Sequence, residues 1–301
     1  MLGHPIFAVT RRPTFPMRRL AITHQTEYRF ASTVRLLPHR LLLRPRESHS
    51  LRITSSLLQI EPAHSIRWHR DPLDNSVAVV AFAQPSSRLR VLSEVVIEDF
   101  EDAPLDFLVE DYAVTWPFEY ASDEQPDLAP FRRVVYEHDR FRIGDWLAGL
   151  GLAAGPIETF VLLDAINRAI ASGFHYRMRE EPGVQSPAQT LAWRSGSCRD
   201  FAALFSEACR HLGLASRFVS GYLHAPATEA GNGATHAWAE VYLPGPGWKG
   251  FDPTIGELAD DRHIPVAVAR HPQAVPPVAG SYVGPAYERP GLYVSVRVSA
   301  V

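Results

Sequence analysis

Cys198, His236 and Asp252 are the residues of this sequence whose types and order suit thiol-based acyl transfer. A cysteine thiolate attacks a carbonyl carbon, a histidine moves the proton, and a carboxylate fixes the histidine tautomer and stabilises the imidazolium. Cys198 follows a Gly-Ser pair and opens a predicted amphipathic helix over 198–212. Unpaired N–H groups at a helix start favour a thiolate and offer an oxyanion site. The three residues therefore form a candidate catalytic triad.

Two predicted strands carry the other members of this triad. The segment 235–243 alternates apolar and polar residues and presents His236 near its start. Asp252 ends the next predicted strand, 248–252, beyond a Pro-Gly turn. A helix followed by two hairpin-connected strands can bring the three side chains together. Each residue also has a plainer interpretation, because most free cysteines are core residues, lone histidines are commonly structural, and aspartate is common in turns.

The second cysteine, Cys209, differs from Cys198 in its place on the helix. It lies on the apolar stripe in mid-helix, so we assign it to the core. Three helical turns, roughly 16 Å, separate the two residues and exclude a disulfide between them. Two cysteines also do not make a disulfide framework of the secreted type. We therefore expect a reducing compartment and a cytoplasmic location.

The first third of the sequence has the period-two pattern of β-strands. Four segments show it with no helix between them, namely 19–30, 51–60, 76–83 and 88–98. Consecutive strands of this kind are typical of an antiparallel sandwich or barrel. We predict an N-terminal β-domain over 18–105. An unstructured extension, 1–17, precedes it, and Met17 is an alternative start to Met1.

Helices are predicted in the middle of the chain. A proline-rich connector, 106–155, contains a short helix near 145–150. Proline at a first helical position and glycine at a C-terminal cap predict a helix from Pro156 to Gly173. Ser186-Pro187 opens a shorter helix in the same way.

The last two segments of the chain contain the remaining predicted strands. They lie at 216–223 and 292–298, and the second of them can join either domain. The loop 225–233, which contains two glycines, is interpreted as a solvent loop rather than a lid. We place the core at 156–270 and a C-terminal segment at 271–301.

Composition and charge argue against several partners and cofactors. The net charge is −3, the pI is near 6.5 and the arginines form no basic cluster, so no nucleic-acid binding is expected. No apolar stretch reaches the length of a transmembrane span or a signal peptide, so no membrane association is expected. We find no calcium-type acidic loop and no paired cysteine spacing for zinc, so no metal or cofactor is predicted. Lys249 is the single lysine, which makes self-crosslinking a poor assay.

Three motifs of the sequence resemble those of the bacterial transglutaminase-like superfamily, in the same order. They are Gly-Ser-Cys-Arg-Asp-Phe-Ala at 196–202, His-Ala-Trp-Ala-Glu-Val at 236–241 and the segment 248–254. The N-terminal half resembles the β-domain that precedes this core in one bacterial branch, beginning at 17–24, and the tail around 261–298 resembles it too. The resemblance covers nearly the whole chain, and its specificity comes from the three motifs occurring together.

This resemblance implies a fold and a set of roles. The expected fold class is α+β, with an N-terminal antiparallel β-sandwich or barrel followed by a papain-like transglutaminase core. In that core a helix bearing the cysteine packs on an antiparallel sheet bearing the histidine and the aspartate. Cys198 would be the nucleophile, His236 the general base and then acid, and Asp252 the residue that orients it.

The resemblance also suggests residues around the acyl group. Tyr176, in a Phe-His-Tyr segment that matches the family upstream of the cysteine, is a candidate for lining the site or donating to the oxyanion, with a core tyrosine as an equal alternative. Trp193 is a candidate wall of the acyl site, although core packing is favoured. Ser197 is a candidate substrate or oxyanion contact. Asp200 is expected to make a structural contact at the helix start.

The expected activity is acyl transfer from a peptide or amide bond through a thioester. Water as the acceptor makes a peptidase or amidase, which we favour because water needs no second binding site. An amine acceptor makes a transglutaminase proper. A binding module that keeps only the fold and a peptide-processing partner of a ligase-type enzyme are the alternatives. The expected partner is a peptide or protein with an amide carbonyl.

Overall fold

The computed structural model describes residues 17–100, 107–152, 155–179, 181–287 and 289–301. These residues form a mixed α/β structure with mostly antiparallel sheets, a β-rich N-terminal region and a helix-on-sheet core, which confirms the predicted fold class. Apart from Met17, the predicted N-terminal extension lies outside the described residues. None of the described helices is long and apolar enough to span a membrane.

Six strands build the N-terminal region: β1 (Arg18–Leu36), β2 (His39–Leu41), β3 (Leu51–Glu61), β4 (His64–Arg70), β5 (Ser76–Phe82) and β6 (Ser86–Asp99). β1 and β3 flank β6 in one antiparallel sheet, and β2 and β4 flank β5 in a second. The sequence analysis does not predict β4, in which Ile66 and Trp68 are the two apolar residues and Trp68 is exposed.

The two sheets pack against each other as a β-sandwich. Alternate residues of each strand point to the same face, so each strand contributes a row of side chains to the shared core. That core comprises Phe30, Val34, Leu36, Leu41, Leu43, Ile60, Ala78, Val80, Leu89 and Val91.

A series of short elements follows the sandwich: a 3-10 turn at Asp111–Ala113, β7 (Thr115–Trp116), α1 (Gln125–Arg132), a 3-10 turn at Glu137–Asp139, α2 (Arg140–Gly149), β8 (Ile157–Glu158) and α3 (Thr159–Gly173). The prediction that α3 begins at Pro156 is wrong. β8 pairs with β7, and the Thr159 N–H donates to the Val114 carbonyl at 2.8 Å, so the backbone is extended until Thr159. The helix ends at Gly173, as the sequence predicts.

Four elements lead to the candidate nucleophile: β9 (His175–Tyr176), α4 (Pro187–Trp193), β10 (Ser195–Gly196) and α5 (Cys198–His211). β9 and β10 pair in parallel, with Tyr176 opposite Gly196. A capping box starts α4, because the side chains of Ser186 and Gln189 each accept a hydrogen bond from the other residue's backbone N–H.

The core sheet contains β11 (Ser216–Leu223), β12 (His236–Leu243), β13 (Gly247–Asp252), β14 (Glu257–Leu258) and β15 (His263–Ala269). Its order is β14-β13-β12-β11-β15, and every pair is antiparallel. α6 (Pro226–Glu229) forms one turn between β11 and β12, where the sequence predicts a plain loop.

Helices α2, α3 and α5 cover one face of this sheet. Their shared core comprises Ile143, Leu147, Leu162, Leu163, Ile166, Ile170, Leu204, Phe205, Ala239, Val241, Leu243 and Phe251. Cys209 is fully buried in the same cluster, which confirms its assignment to the core. The helix that begins at Cys198 is therefore anchored along its length on β12.

The C-terminal segment returns to the N-terminal region. After a 3-10 turn at Pro272–Ala274, β16 (Val278–Ala279) pairs with β2, and both β17 (Tyr282–Val283) and β18 (Gly291–Ala300) pair with β1. The last strand thus joins the sandwich rather than the core sheet. A shared apolar cluster connects the two regions through Leu20, Ile22, Val95, Ile97, Phe218, Tyr222, Ile264, Val266, Val296 and Val298.

Candidate active site

Cys198 is the first residue of α5, and the close packing of β10 against the first turn of this helix positions it. Gly196 is buried, and a Cβ atom on it would lie 2.9 Å from the Asp200 Cβ and 3.2 Å from the Phe201 ring. Since no side chain fits, glycine lets β10 approach the first turn of the helix. The Cys198 side chain is partly exposed, so the thiol is within reach of a substrate.

Asp200 fixes this turn through a fully buried carboxylate. It accepts hydrogen bonds from the Ser197 N–H and hydroxyl, both at 2.8 Å, and from the Gln185 N–H at 2.8 Å. The Arg179 guanidinium contacts both carboxylate oxygens, at 2.8 and 2.9 Å. These contacts confirm the structural role that the sequence predicts for Asp200.

His236 and Asp252 come together because their strands are neighbours in the sheet. His236 is the first residue of β12 and Asp252 the last of β13, and the His236 Nε2 lies 2.6 Å from the Asp252 Oδ2. Cys198 lies beside His236, since both side chains line one cavity and the Cys198 side chain contributes to raising the pKa of His236. Because Nε2 is engaged with the carboxylate, Nδ1 is the ring nitrogen left for the thiol. The structure therefore brings together all three members of the candidate triad.

Burial and hydrogen bonding act in opposite directions on the charges of this pair. Desolvation alone would lower the pKa of His236 and raise that of Asp252. The hydrogen bond to Asp252 and the neighbouring Cys198 side chain outweigh burial and hold the pKa of His236 above its usual range. The imidazoles beside Asp252 hold the pKa of its carboxyl well below its usual range. The arrangement thus stabilises an imidazolium–carboxylate ion pair.

A second histidine, His263, contacts the same carboxylate and is not predicted by the sequence analysis. Its Nε2 lies 3.1 Å from the Asp252 Oδ2, and its Nδ1 lies 2.9 Å from the Asp260 Oδ1. Burial lowers the pKa of His263, but the hydrogen bonds to the two carboxylates raise it above its usual range. His263 opens β15, a strand whose apolar run is interrupted by Pro265 and which the sequence pattern does not predict.

Trp238 packs beside both imidazoles. Its ring centroid lies 6.2 Å from that of His236 and 5.2 Å from that of His263. Gly221, opposite His236 on β11, makes room for it, because a Cβ atom there would lie 2.6 Å from the indole ring. The Trp238 indole, seated over Gly221, therefore packs against both imidazoles that contact Asp252.

His236, Asp252 and His263 also have the ligand types of a metal site. Their ligand atoms lie within 4.8 Å of one another. The 2.6 Å distance from His236 to Asp252 is that of a charge-assisted hydrogen bond, whereas two ligands placed tetrahedrally at about 2 Å from zinc lie farther apart. The described geometry fits proton sharing better than metal binding.

The three further candidates occupy different places. Tyr176 is 46% exposed and lines a cavity with Cys198, and burial together with the nearby Cys198 and Asp252 charges raises its pKa to about 12. Ser197 lines the cavity too, and Asp200 accepts hydrogen bonds from both its N–H and its hydroxyl, so its contact with a substrate or oxyanion stays a prediction. Trp193 is 57% exposed at the end of α4, so it is not a core residue, and it lies outside that lining, so its role as a wall of the acyl site stays a prediction.

The cavity over Cys198 has a volume of about 1180 Å³ and walls from three parts of the chain. The core contributes Cys198 and His236, and the sandwich contributes aromatic residues of β1 such as Phe30. The C-terminal segment contributes 275–280 and 292–294. Substrate bound at the thiol would therefore touch the sandwich as well as the core.

Comparison with known proteins agrees with this architecture. Residues 20–98 match the family described as the bacterial transglutaminase-like N-terminal region, and residues 154–253 match the transglutaminase-like superfamily. Proteins of Mycobacterium tuberculosis and Mycobacterium bovis are each 31% identical over 289 residues, covering 89% of this chain and 88% of their own length. The chain belongs to the transglutaminase-like superfamily and carries its bacterial N-terminal region.

A solved structure shares the fold over nearly the whole chain. It is a Cytophaga hutchinsonii protein described as a "putative cysteine protease", with a TM-score of 0.69 and 19% sequence identity. The alignment covers 95% of this chain and 91% of that protein. At this identity the likeness shows a common fold for the sandwich and the core together.

Proposed function

We propose that this protein is a cysteine-dependent acyl-transfer enzyme that cleaves peptide or amide bonds through a thioester, mainly by hydrolysis. The observation that supports it best is that Cys198 and His236 line one open cavity while the His236 imidazole is hydrogen-bonded to the buried Asp252. In this proposal Cys198 is the nucleophile, His236 the general acid and base, and Asp252 the orienting carboxylate. The proposed substrate is a peptide or protein, and the proposed location is the cytoplasm.

In the first half-reaction the Cys198 thiolate forms a C–S bond to the amide carbonyl carbon, and the carbonyl electron pair moves to oxygen. The N–H of Cys198, at the start of α5, is the proposed oxyanion donor, because Asp200 already engages the N–H of Ser197. The C–N bond then breaks, and the His236 imidazolium gives its proton to the leaving amine. The product is a thioester on Cys198.

In the second half-reaction an acceptor resolves the thioester. His236 takes a proton from water as the oxygen attacks, the C–S bond breaks, and the products are a carboxylic acid and the Cys198 thiolate. Arg199 lines the cavity beside Cys198, as does Arg179, whose charge is paired with Asp200. The positive charge of Arg199 disfavours entry of a protonated amine and does not oppose water. This charge favours hydrolysis over amine transfer.

The nucleophile is tested by alkylation with iodoacetamide across pH, in a Cys209→Ala background. We expect alkylation of Cys198 near neutral pH to be faster in the wild type than in His236→Ala, because the neighbouring imidazole accepts the proton of the thiol. Identical profiles in the two proteins would refute the Cys198–His236 pair and favour a binding module.

The choice of acceptor is tested with a glutamine peptide and a labelled primary amine. We expect hydrolysis products to exceed amine incorporation, with both absent in Cys198→Ala. Arg199→Gln is the informative variant, because loss of its charge should increase amine incorporation relative to hydrolysis. Incorporation exceeding hydrolysis in the wild type would show a transglutaminase proper.

A further inference from the structure

The unpaired edge of β18 is the feature of the cavity that points to a kind of substrate. β18 runs beside β1 in unbroken antiparallel register, from the pair Leu20 and Ala300 to the pair Arg29 and Gly291. On its other edge, the β-bridge found among the described residues is to Gly233, whose carbonyl accepts a hydrogen bond from the Val296 N–H at 3.0 Å. Residues 292–294 of β18 line the cavity.

The bond to Gly233 shows which main-chain groups point outward. In an antiparallel ladder the residues of one strand alternate between pairing with one neighbour and with the other. Because the Val296 N–H points away from β1, the N–H and C=O groups of Val294 and Leu292 point away from β1 as well. Within the described parts of the chain, no strand pairs with them on that side.

The chain itself begins an antiparallel strand along this edge and then leaves it. Gly233 pairs with Val296, but after Thr235 the backbone enters β12 through His236. The place beside Val294 is therefore open to another extended segment. Thr235, His236 and Val294 all line the cavity that contains Cys198, so a segment on this edge runs next to the thiol.

The lining fits a polypeptide with apolar side chains. Aromatic and aliphatic groups of β1, β9 and β18 form the walls, and the 292–294 side chains are 40% to 56% exposed. A volume of about 1180 Å³ exceeds the roughly 300 to 1000 Å³ of most small-molecule sites. Added strands are recognised by main-chain hydrogen bonds, with alternate side chains giving specificity.

We propose that the acyl substrate is an extended polypeptide segment, rich in apolar residues, that pairs antiparallel with β18 at Leu292 and Val294. The assignment rests on the proposed function and specifies the class of substrate for that function. The main-chain hydrogen bonds hold the segment extended, and the cavity directs its scissile amide to Cys198. β18 thereby makes the sandwich part of the substrate-binding site.

Val294→Pro tests the pairing, because it removes one outward N–H and leaves the bonds between β1 and β18 in place. Val294→Ala is the matched control, since it shortens the side chain and keeps the N–H. The probe is an apolar octapeptide with an epoxide in place of its central amide, and the readout is its rate of attachment to Cys198. We expect Val294→Pro to react about threefold to tenfold more slowly than Val294→Ala, as one lost hydrogen bond implies.

Iodoacetamide separates this proposal from the proposed function. Both Val294 variants should react with it at the wild-type rate, because it is too small to use the edge. Equal octapeptide rates for the two variants would overturn the pairing and leave the nucleophile intact. If Cys198 does not react with iodoacetamide at any pH, the result would instead overturn the proposed function.

A scan of N-methylated octapeptides tests the same pairing without altering the protein. N-methylation removes one substrate N–H at a time. Pairing with β18 predicts that reactivity falls at every second position, because alternate N–H groups face the strand. Loss at consecutive positions, or at none, would contradict strand addition.

Discussion

Two fully buried carboxylates, Asp200 and Asp252, serve the candidate site, and their partners differ in kind. Asp200 accepts from a guanidinium, two backbone N–H groups and a hydroxyl. None of these donors loses its proton near neutral pH. The Oδ2 of Asp252 is shared by two imidazoles, which are groups that can give up and regain a proton during a reaction. Fixed donors hold the geometry of the nucleophile, and titratable donors let charge move during the reaction.

Asp252→Asn should give the largest effect. The amide cannot stabilise the imidazolium, and its NH₂ group can force the wrong tautomer on His236. We expect kcat/KM for a cleavable peptide to fall by about 10³ to 10⁴-fold. Asp260→Asn is the control, because it changes only the outer carboxylate beside His263, and it should cost less than about tenfold. Similar losses in both variants would show that Asp252 has no direct role.

Asp200→Asn should act on stability. It weakens a buried ion pair with Arg179, which also contacts the exposed Glu181 at 3.7 Å. Urea unfolding should show a loss of about 3 to 5 kcal/mol. Asp164→Asn removes the exposed helical pair with Arg168 and should cost less than about 0.5 kcal/mol. A loss below about 1 kcal/mol at Asp200 would contradict its role as the fixed support.

His263→Leu should have a smaller, kinetic effect. It removes one of the two imidazole donors to Asp252, so the carboxylate orients His236 less firmly. We expect kcat to fall about tenfold, the equivalent of one charged hydrogen bond, with KM unchanged. His263→Gln keeps a donor and should recover most of the rate. If His263→Gln and His263→Leu lower kcat equally, then His263 acts through its packing and not through its hydrogen bond to Asp252.

The pH dependence of stability gives the finest distinction between the two carboxylates. The lowered pKa of Asp252 adds stability above about pH 3.9, which is lost as the pH falls through its folded value. The raised pKa of His236 adds stability below about pH 6.5, which is lost as the pH rises through its folded value. Their combined contribution is therefore greatest between those limits.

Urea unfolding at pH 5.5 and pH 9 measures this contribution. The difference in free energy of unfolding between wild type and Asp252→Asn should be smaller at pH 9. At that pH His236 is neutral in the unfolded chain, so keeping it as an imidazolium in the folded protein costs the free energy of protonating it. The difference between wild type and Asp200→Asn should stay constant, since its partners do not titrate there. If the stability loss depends on pH equally in Asp252→Asn and Asp200→Asn, the two carboxylates do not differ in whether their donors titrate.

The triad and its elements are predictable because their signals are local. Cys198 opens an amphipathic helix, His236 opens an alternating strand, and Asp252 closes a strand after a tight turn. Each of these patterns extends over a few residues. Their order along the chain, together with the family resemblance, then gives a single arrangement of helix and sheet.

The remaining features depend on contacts between distant segments. His263 reaches Asp252 only because β15 pairs with β11 beyond β12, and strand order cannot be derived from an apolar run. The alternation of β18 identifies a strand but not its partner, β1. Pro156 has the sequence pattern of a helix start, yet pairing of β8 with β7 delays the helix. Trp193 is apolar but ends a short helix at the surface.

The pairing of β1 with β18 also sets the order of events during synthesis. Cys198 and His236 leave the ribosome well before β18, and the cavity wall at 292–294 is complete only after β18 has emerged and closed onto β1. Contacts between such distant segments form late, because closing a long loop has a high entropic cost. We therefore expect a nascent chain halted before β18 to carry the thiol without the cavity wall at 292–294, so that the candidate site is complete only after translation has passed that strand.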